Sequence, residues 1–252
     1  MLDAELLRLY GLAGFVVALA AVVRGATGFG FALVAALGLT ALWPPGVATP
    51  IVFMLELVVT IGILRGGAWR EVTLSDVLPI MAGGLVGGVF GVLVITGLPD
   101  ATVKLGLDIV VLVSAAASLA RLRAPGLDRP AVAVAVGVVT GAVISAFAVG
   151  GPLVVAWLLA TGRSPARIRA ALTVYFGLTD ALGLFVRLMI GAVPTESWIA
   201  GAVLLPIALI GTMLGGHIFR RTAEDRWRRW VAGMLILIAA FSLGRTLGLL
   251  PA

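Results

Sequence analysis

Two stretches decide how this chain folds: Arg24-Gly25-Ala26-Thr27-Gly28-Phe29-Gly30 and Ser145-Ala146-Phe147-Ala148-Val149-Gly150-Gly151-Pro152. Each interrupts an apolar segment, 8–43 and 130–162, that is too long for one simple membrane crossing, since a helical span needs about 20 apolar residues. Glycine permits turns that a continuous helix forbids. Both segments therefore read as broken helices, either re-entrant hairpins or pairs of short spans.

Around these breaks the chain reads as membrane throughout. Charged residues make up 12% of the 252, half the roughly 25% that a water-facing surface carries. The other apolar runs, 46–65, 74–97, 101–120, 166–190, 197–219 and 228–249, have helical-span length. They lack the short alternation of a membrane β-barrel. The expected fold is an all-α polytopic membrane protein, one transmembrane domain over 1–252 with about 8–10 membrane helices.

Cysteine is absent and His217 is the one histidine, which excludes disulfides, thiolate chemistry and a histidine-rich metal site. No cofactor and no metal are expected. The formal charge of +6 sits in short loops between apolar runs, where basic residues are topology signals; no nucleic-acid partner is implied. The first residues, with Asp3 and Glu5, lack the basic region of a signal peptide, so the first apolar run is expected to be kept.

The broken segments head two similar halves. Pro45 follows Gly30 by fifteen residues, and Pro165 follows Gly150 by the same distance. Further on, Pro79, Gly84 and Gly88 are spaced as Pro206, Gly211 and Gly215 are. Many transporters are built from such repeats, and the expected units are 8–120 and 130–249, each a broken helix pair plus three transmembrane helices. Arginines crowd 65–70, 121–129, 163–169 and 220–229, whereas 43–49, 97–100 and 191–197 are poor in them. The positive-inside rule places the first group in the cytoplasm. An odd net number of crossings per unit then inverts the second repeat, with both termini outside a bacterial cytoplasmic membrane.

Inverted repeats bring their broken helices together near the bilayer midplane. Half-helix N-termini there present free N–H groups and the positive end of a dipole, which suits an anion. The expected anion-binding residues are Arg24, Thr27, Gly28, Gly30, Ser145, Gly150 and Gly151, and Arg24→Gln is expected to weaken anion binding without unfolding the protein. Intramembrane charges are costly and mark function or pairing: Glu56 and Asp180, with Arg24 or Arg187, read as ion pairs or proton carriers. Arg187, like Arg245, reads as a snorkelling residue near a span end. Asp108 reads as shallow and His217 as interfacial. Trp43, Trp69, Trp198, Trp227 and Trp230 read as an interfacial belt.

The motif Gly25-Ala26-Thr27-Gly28-Phe29-Gly30-Phe31 with a proline about fifteen residues on resembles the opening of the sulfite exporter TauE/SafE family. Gly150-Gly151-Pro152 with Pro165 is similar to that family's second motif. Phe29 and Phe31 around Gly30 depart from the commoner triple-glycine form. The resemblance covers nearly the whole chain. It implies transport of sulfite, sulfoacetate or related organosulfonates across the bacterial cytoplasmic membrane.

The expected function is thus secondary transport of a small anion by alternating access, not catalysis. The expected partners are the lipid bilayer, that anion and a second copy in a homodimer. An anion channel of the same architecture, an intramembrane enzyme and a purely structural subunit are the rivals. Asp108 and Asp180 lie in no hydrolytic motif, and the paired broken helices argue against a merely structural part. No Gly-x4-Gly-Lys motif for ATP is present.

Overall fold

The computed structural model describes residues 2–103, 105–106, 109–110, 113, 126–149, 151–223, 226, 230, 233 and 237. The expected spans 101–120 and 228–249 lie largely outside the described residues, as do Gly150, Asp108, Trp227 and Arg245. The described part is helical, with no strand. In chain order the helices are α1 (Leu2–Thr27), α2 (Phe31–Leu39), α3 (Pro45–Arg65), α4 (Leu74–Ile95), α5 (Pro130–Phe147), α6 (Gly151–Ala160), α7 (Pro165–Met189) and α8 (Thr195–Arg220). All but α2 and α6 include a stretch long and apolar enough to cross a membrane.

The breaks fall where glycine or a special backbone permits them. Helix α1 ends at Thr27, and Gly28 and Gly30 then take left-handed backbone at φ 86° and 91°. Helix α5 ends at Ala148, whose φ of 56° makes it the one described non-glycine residue in that region. Proline opens α3, α5 and α7, at a position where its missing N–H has no intrahelical acceptor to lose.

Backbone-to-backbone packing sets the direction of each helix. A Cβ added to Gly87 or Gly91 of α4 would strike the carbonyl oxygens of Val138 and Ala142 on α5. On the other side, Gly211 and Gly215 of α8 lie against the carbonyls of Ala18 and Val22 on α1. Absent side chains let the helix backbones touch, a contact that substitutes for hydrophobic association in lipid. In each pair the contacts advance in the same sense along both helices, so α4 runs parallel to α5 and α1 runs parallel to α8. Helices α3 and α8 start at the same end, where Ser197 Oγ donates to the Val47 carbonyl at 2.9 Å.

The short helices turn back. Helix α2 returns to the start of α8, where Trp43 meets Glu196. Helix α6 returns to the start of α4, where Arg163 and Arg167 meet Asp76. The link 66–73 reverses the chain between α3 and α4, so these two meeting points lie at opposite ends of the bundle. The pair α1–α2 therefore enters from one end and α5–α6 from the other.

The outward faces of α1, α4 and α8 carry Phe15, Phe90 and Met213, all well exposed. An apolar exterior of this extent fits lipid. Trp69, Trp198 and Trp230 are exposed, as an interfacial belt requires. Trp43 is not part of it: its ring is 5% exposed, packed edge-on against Tyr10 and bonded to Glu196.

Candidate functional site: a buried cavity between the two breaks

The two breaks meet inside the bundle. A Cβ on Gly151 would touch ring atoms of Phe29 at 3.9 Å and Phe176 at 3.4 Å. Between them lies a small cavity of about 20 Å³ lined by Gly30, Ala32 and Leu33 from the first break and by Ala148, Val149 and Gly151 from the second. The first turns of both short helices thus face one space. The lining is completed by Ile144, by Glu56 of α3, and by Phe176 and Asp180 of α7.

Arg24 is fully buried and does not line the cavity. Its Nη2 sits 3.0 Å from Glu56 Oε1 and 3.3 Å from Thr60 Oγ1, its Nη1 donates to the Gly28 carbonyl, and its guanidinium stacks over Phe176 at 5.0 Å. One arginine therefore joins α1, the break and α3. The attraction offsets much of the cost of burying Glu56, which a lone carboxylate at that depth would bear in full.

Asp180 stands differently. It is 1% exposed, its Oδ2 has no hydrogen-bond partner, and no described cation lies within ion-pair distance of it. Glu56 Oε2 also lacks a partner. The cavity thus gathers one compensated and one uncompensated carboxyl group.

Several residues expected at the anion site do other work. The Thr27 hydroxyl lies 2.8 Å from both the Val23 and Phe29 carbonyls and closes the end of α1. Gly28 makes room for Arg169: an added Cβ would approach its Cγ to 2.5 Å, and Arg169 Nη2 donates to the Gly25 carbonyl at 3.0 Å. Ser145 Oγ is buried against Gly88 without a partner. Of the expected residues, only Gly30 and Gly151 reach the cavity; Gly150 lies outside the described residues.

Arg187 does not snorkel. It is 4% exposed, stacks over Phe53 at 5.0 Å, and donates from Nη1 to the Ser145 carbonyl at 2.7 Å and from Nη2 to the Ala146 carbonyl at 3.0 Å. These are carbonyls of the last turn of α5, which have no helical donor of their own, so Arg187 caps the break. It also lines a larger, separate cavity of about 140 Å³ with Thr49, Thr96 and Asp100, at the end of the bundle where α3 begins. Sequence reasoning passed over Phe176, because an aromatic residue in mid-span carries no sign of facing inward. Ala148 and Val149 were within the quoted break, but nothing in an apolar side chain announces a lining role.

A bundle with an apolar exterior, two broken helices entering from opposite ends and carboxyl groups at their meeting point defines a polytopic membrane protein of the transport class. The chain belongs to the family described as Sulfite exporter TauE/SafE, whose family model matches residues 13–242. No curated protein and no solved structure matches it.

Proposed function

We propose that this protein is a secondary transporter of small sulfur-containing anions, sulfite or organosulfonates, working by alternating access between two inverted repeats, 8–120 and 130–249. The observation that carries the reading is the shared cavity at the first turns of α2 and α6. The leading N–H groups of a helix lack intrahelical acceptors and stand at the positive end of its dipole. Two such termini converging on one buried space form an anion site without a metal. Gly30 and Gly151 leave backbone within reach of the ligand where a side chain would block it.

The repeat reading draws on the packing. Exchanging α1–α4 with α5–α8 maps the α1–α8 contact onto the α5–α4 contact, and α3–α8 onto α7–α4. Orientation follows from charge: Arg65, Arg70, Arg129, Arg163, Arg167 and Arg220 all belong to the end where α3 finishes and α4, α5 and α7 begin. That end faces the cytoplasm of a bacterial cell by the positive-inside rule, with both termini outside. A cavity of about 20 Å³ holds one water molecule, so this conformation is closed around the site and substrate entry requires one hairpin to move.

Thermal unfolding of the detergent-purified protein against sulfite, sulfate, thiosulfate, methanesulfonate and carboxylates tests the assignment. A ligand selective for the folded state raises the melting temperature with the logarithm of its concentration. A selective shift by a sulfur anion, with saturable counterflow in vesicles, is the expected result. A shift by a cation or neutral solute alone would overturn it.

A further inference from the structure

An anion site lined by two carboxyl groups poses an electrostatic problem. Two like charges within a few ångströms of the substrate repel it strongly at the low effective dielectric of a buried site. The structure resolves half of the problem. Glu56 is paired with Arg24 at 3.0 Å, so that pair adds no net charge. Asp180 remains, buried, unpartnered at Oδ2 and lining the same cavity.

The groups that act on Asp180 can be named helix by helix. Glu56 from α3 and Arg24 from α1 interact with it electrostatically, and Tyr175 precedes it on α7. The Tyr175 hydroxyl is taken, lying 2.6 Å from Thr140 Oγ1 and donating to the Gly137 carbonyl at 3.2 Å. The lining side chains from α2, from α5, from the link after it and from α6, namely Leu33, Ile144, Val149 and Gly151, are apolar or absent. A metal cation such as sodium needs several oxygen ligands in a shell, and the side chains of this lining offer none besides the two carboxyl groups. A proton needs only one oxygen.

Resting on the anion-transport reading, we propose that Asp180 binds a proton that occupies the cavity together with the anion, while Glu56 stays ionised in its pair with Arg24. The step is a simple association: a carboxylate oxygen of Asp180 takes one proton from water and becomes a neutral carboxylic acid. With Asp180 neutral, the cavity presents helix N-termini and no uncompensated negative charge, and the anion enters. When the proton leaves, the restored carboxylate repels the anion. Proton and anion therefore bind with positive cooperativity and cross in the same direction, one proton per cycle.

Infrared spectroscopy of the purified protein reads the proton site whether or not an anion is transported. The expected result is a protonated-carboxyl C=O band that titrates with pH, is lost in Asp180→Asn and persists, shifted, in Asp180→Glu. Absence of such a band at every pH, or its survival in Asp180→Asn, overturns the proposal. A second measurement uses methanesulfonate, which stays singly charged throughout the range. Its affinity for the wild type is expected to rise as pH falls, by at most about tenfold per pH unit for one linked proton. In Asp180→Asn the affinity is expected to be high and flat with pH. A wild-type affinity that stays flat while methanesulfonate binds overturns the coupling. If no anion binds and the Asp180 band is present, the proton site stands and the anion-transport reading falls instead.

Discussion

Trp43 donates from Nε1 to Glu196 Oε1 at 2.7 Å, tying the connector between α2 and α3 to the first turn of α8. At the other end of the bundle Asp76, in the first turn of α4, holds Arg163 at 3.0 Å in the connector between α6 and α7 and Arg167 at 2.6 Å in the first turn of α7. Each tie joins the connector after a short helix to the first turn of a long helix from the other half of the chain. Under the alternating access proposed above each end must close in turn, and a tie of this kind at each end would serve as its latch. Trp43→Phe keeps the ring against Tyr10 and removes the hydrogen bond, a loss of about 0.5–1.5 kcal/mol because Glu196 is exposed. Because the natural chain has no cysteine, a single cysteine placed at Thr49 reports access with an impermeant maleimide. Faster labelling in Trp43→Phe is expected; unchanged labelling would remove this tie from the closing apparatus.

At the opposite end, Asp76→Asn removes both ion pairs at once. Arg167 is 42% exposed on its side chain and Arg163 15%, so solvent screening limits the loss to about 1 kcal/mol. The melting temperature is expected to fall modestly, and high salt is expected to narrow the gap between the variant and the wild type. Asp76→Glu restores part of the stability. Equal melts for Asp76→Asn and the wild type at low salt would show that the pairs contribute nothing.

Much of this arrangement was legible in the sequence. The breaks at Gly28–Gly30 and near Gly151 were announced by glycine, and Pro45 and Pro165 open the long helices that follow the two short ones. Which glycines make the closest backbone contacts was not legible. Gly211 and Gly215 lie against α1, and Gly83, Gly87 and Gly91 lie against carbonyls of α5, while Gly84 and Gly88 sit between α5, at Gly141 and Ser145, and α7, at Tyr175 and Leu182. A helix with glycine at 83, 84, 87, 88 and 91 offers several faces for close approach, and only the packed partner selects one. Glu56, thirty-two positions after Arg24, was one of the ion-pair partners expected for it, and the structure brings the two together; sequence alone did not choose between Arg24 and Arg187 as the arginine that pairs.

The glycine contacts separate two kinds of position. Gly87→Ala would drive a methyl group into the Val138 carbonyl, and Gly25→Ala into the Thr212 carbonyl. Backbone cannot turn aside as a side chain can, so each substitution is expected to push a helix pair apart at a cost of about 1–3 kcal/mol. Gly216, in the same helix as Gly215, has nothing within 4 Å of an added Cβ. Gly216→Ala is expected to be neutral or slightly stabilising, since alanine gives up less backbone freedom in a helix. Thermal melts of the three variants decide the matter, and equal effects at Gly87 and Gly216 would contradict the packing.

The pairing of Arg24 with Glu56 changes what Arg24→Gln should do. Were Arg24 a ligand to the anion alone, its loss would reduce affinity and leave the fold unaffected. With Glu56 Oε1 at 3.0 Å and both side chains buried, removing the arginine leaves a carboxylate without compensation, a loss of about 3–5 kcal/mol for a buried pair. Glu56→Gln alone strands the arginine and is expected to be costly in the same way. The double variant Arg24→Gln/Glu56→Gln leaves two neutral amides, and much of the stability is expected to return. A double-mutant cycle on melting free energies isolates the pair from the separate contacts of Arg24 with Gly28 and Thr60. Strong coupling assigns Arg24 to holding the first break against α3. Additive losses, together with weaker sulfonate binding by Arg24→Gln than by Glu56→Gln, would return it to the anion site.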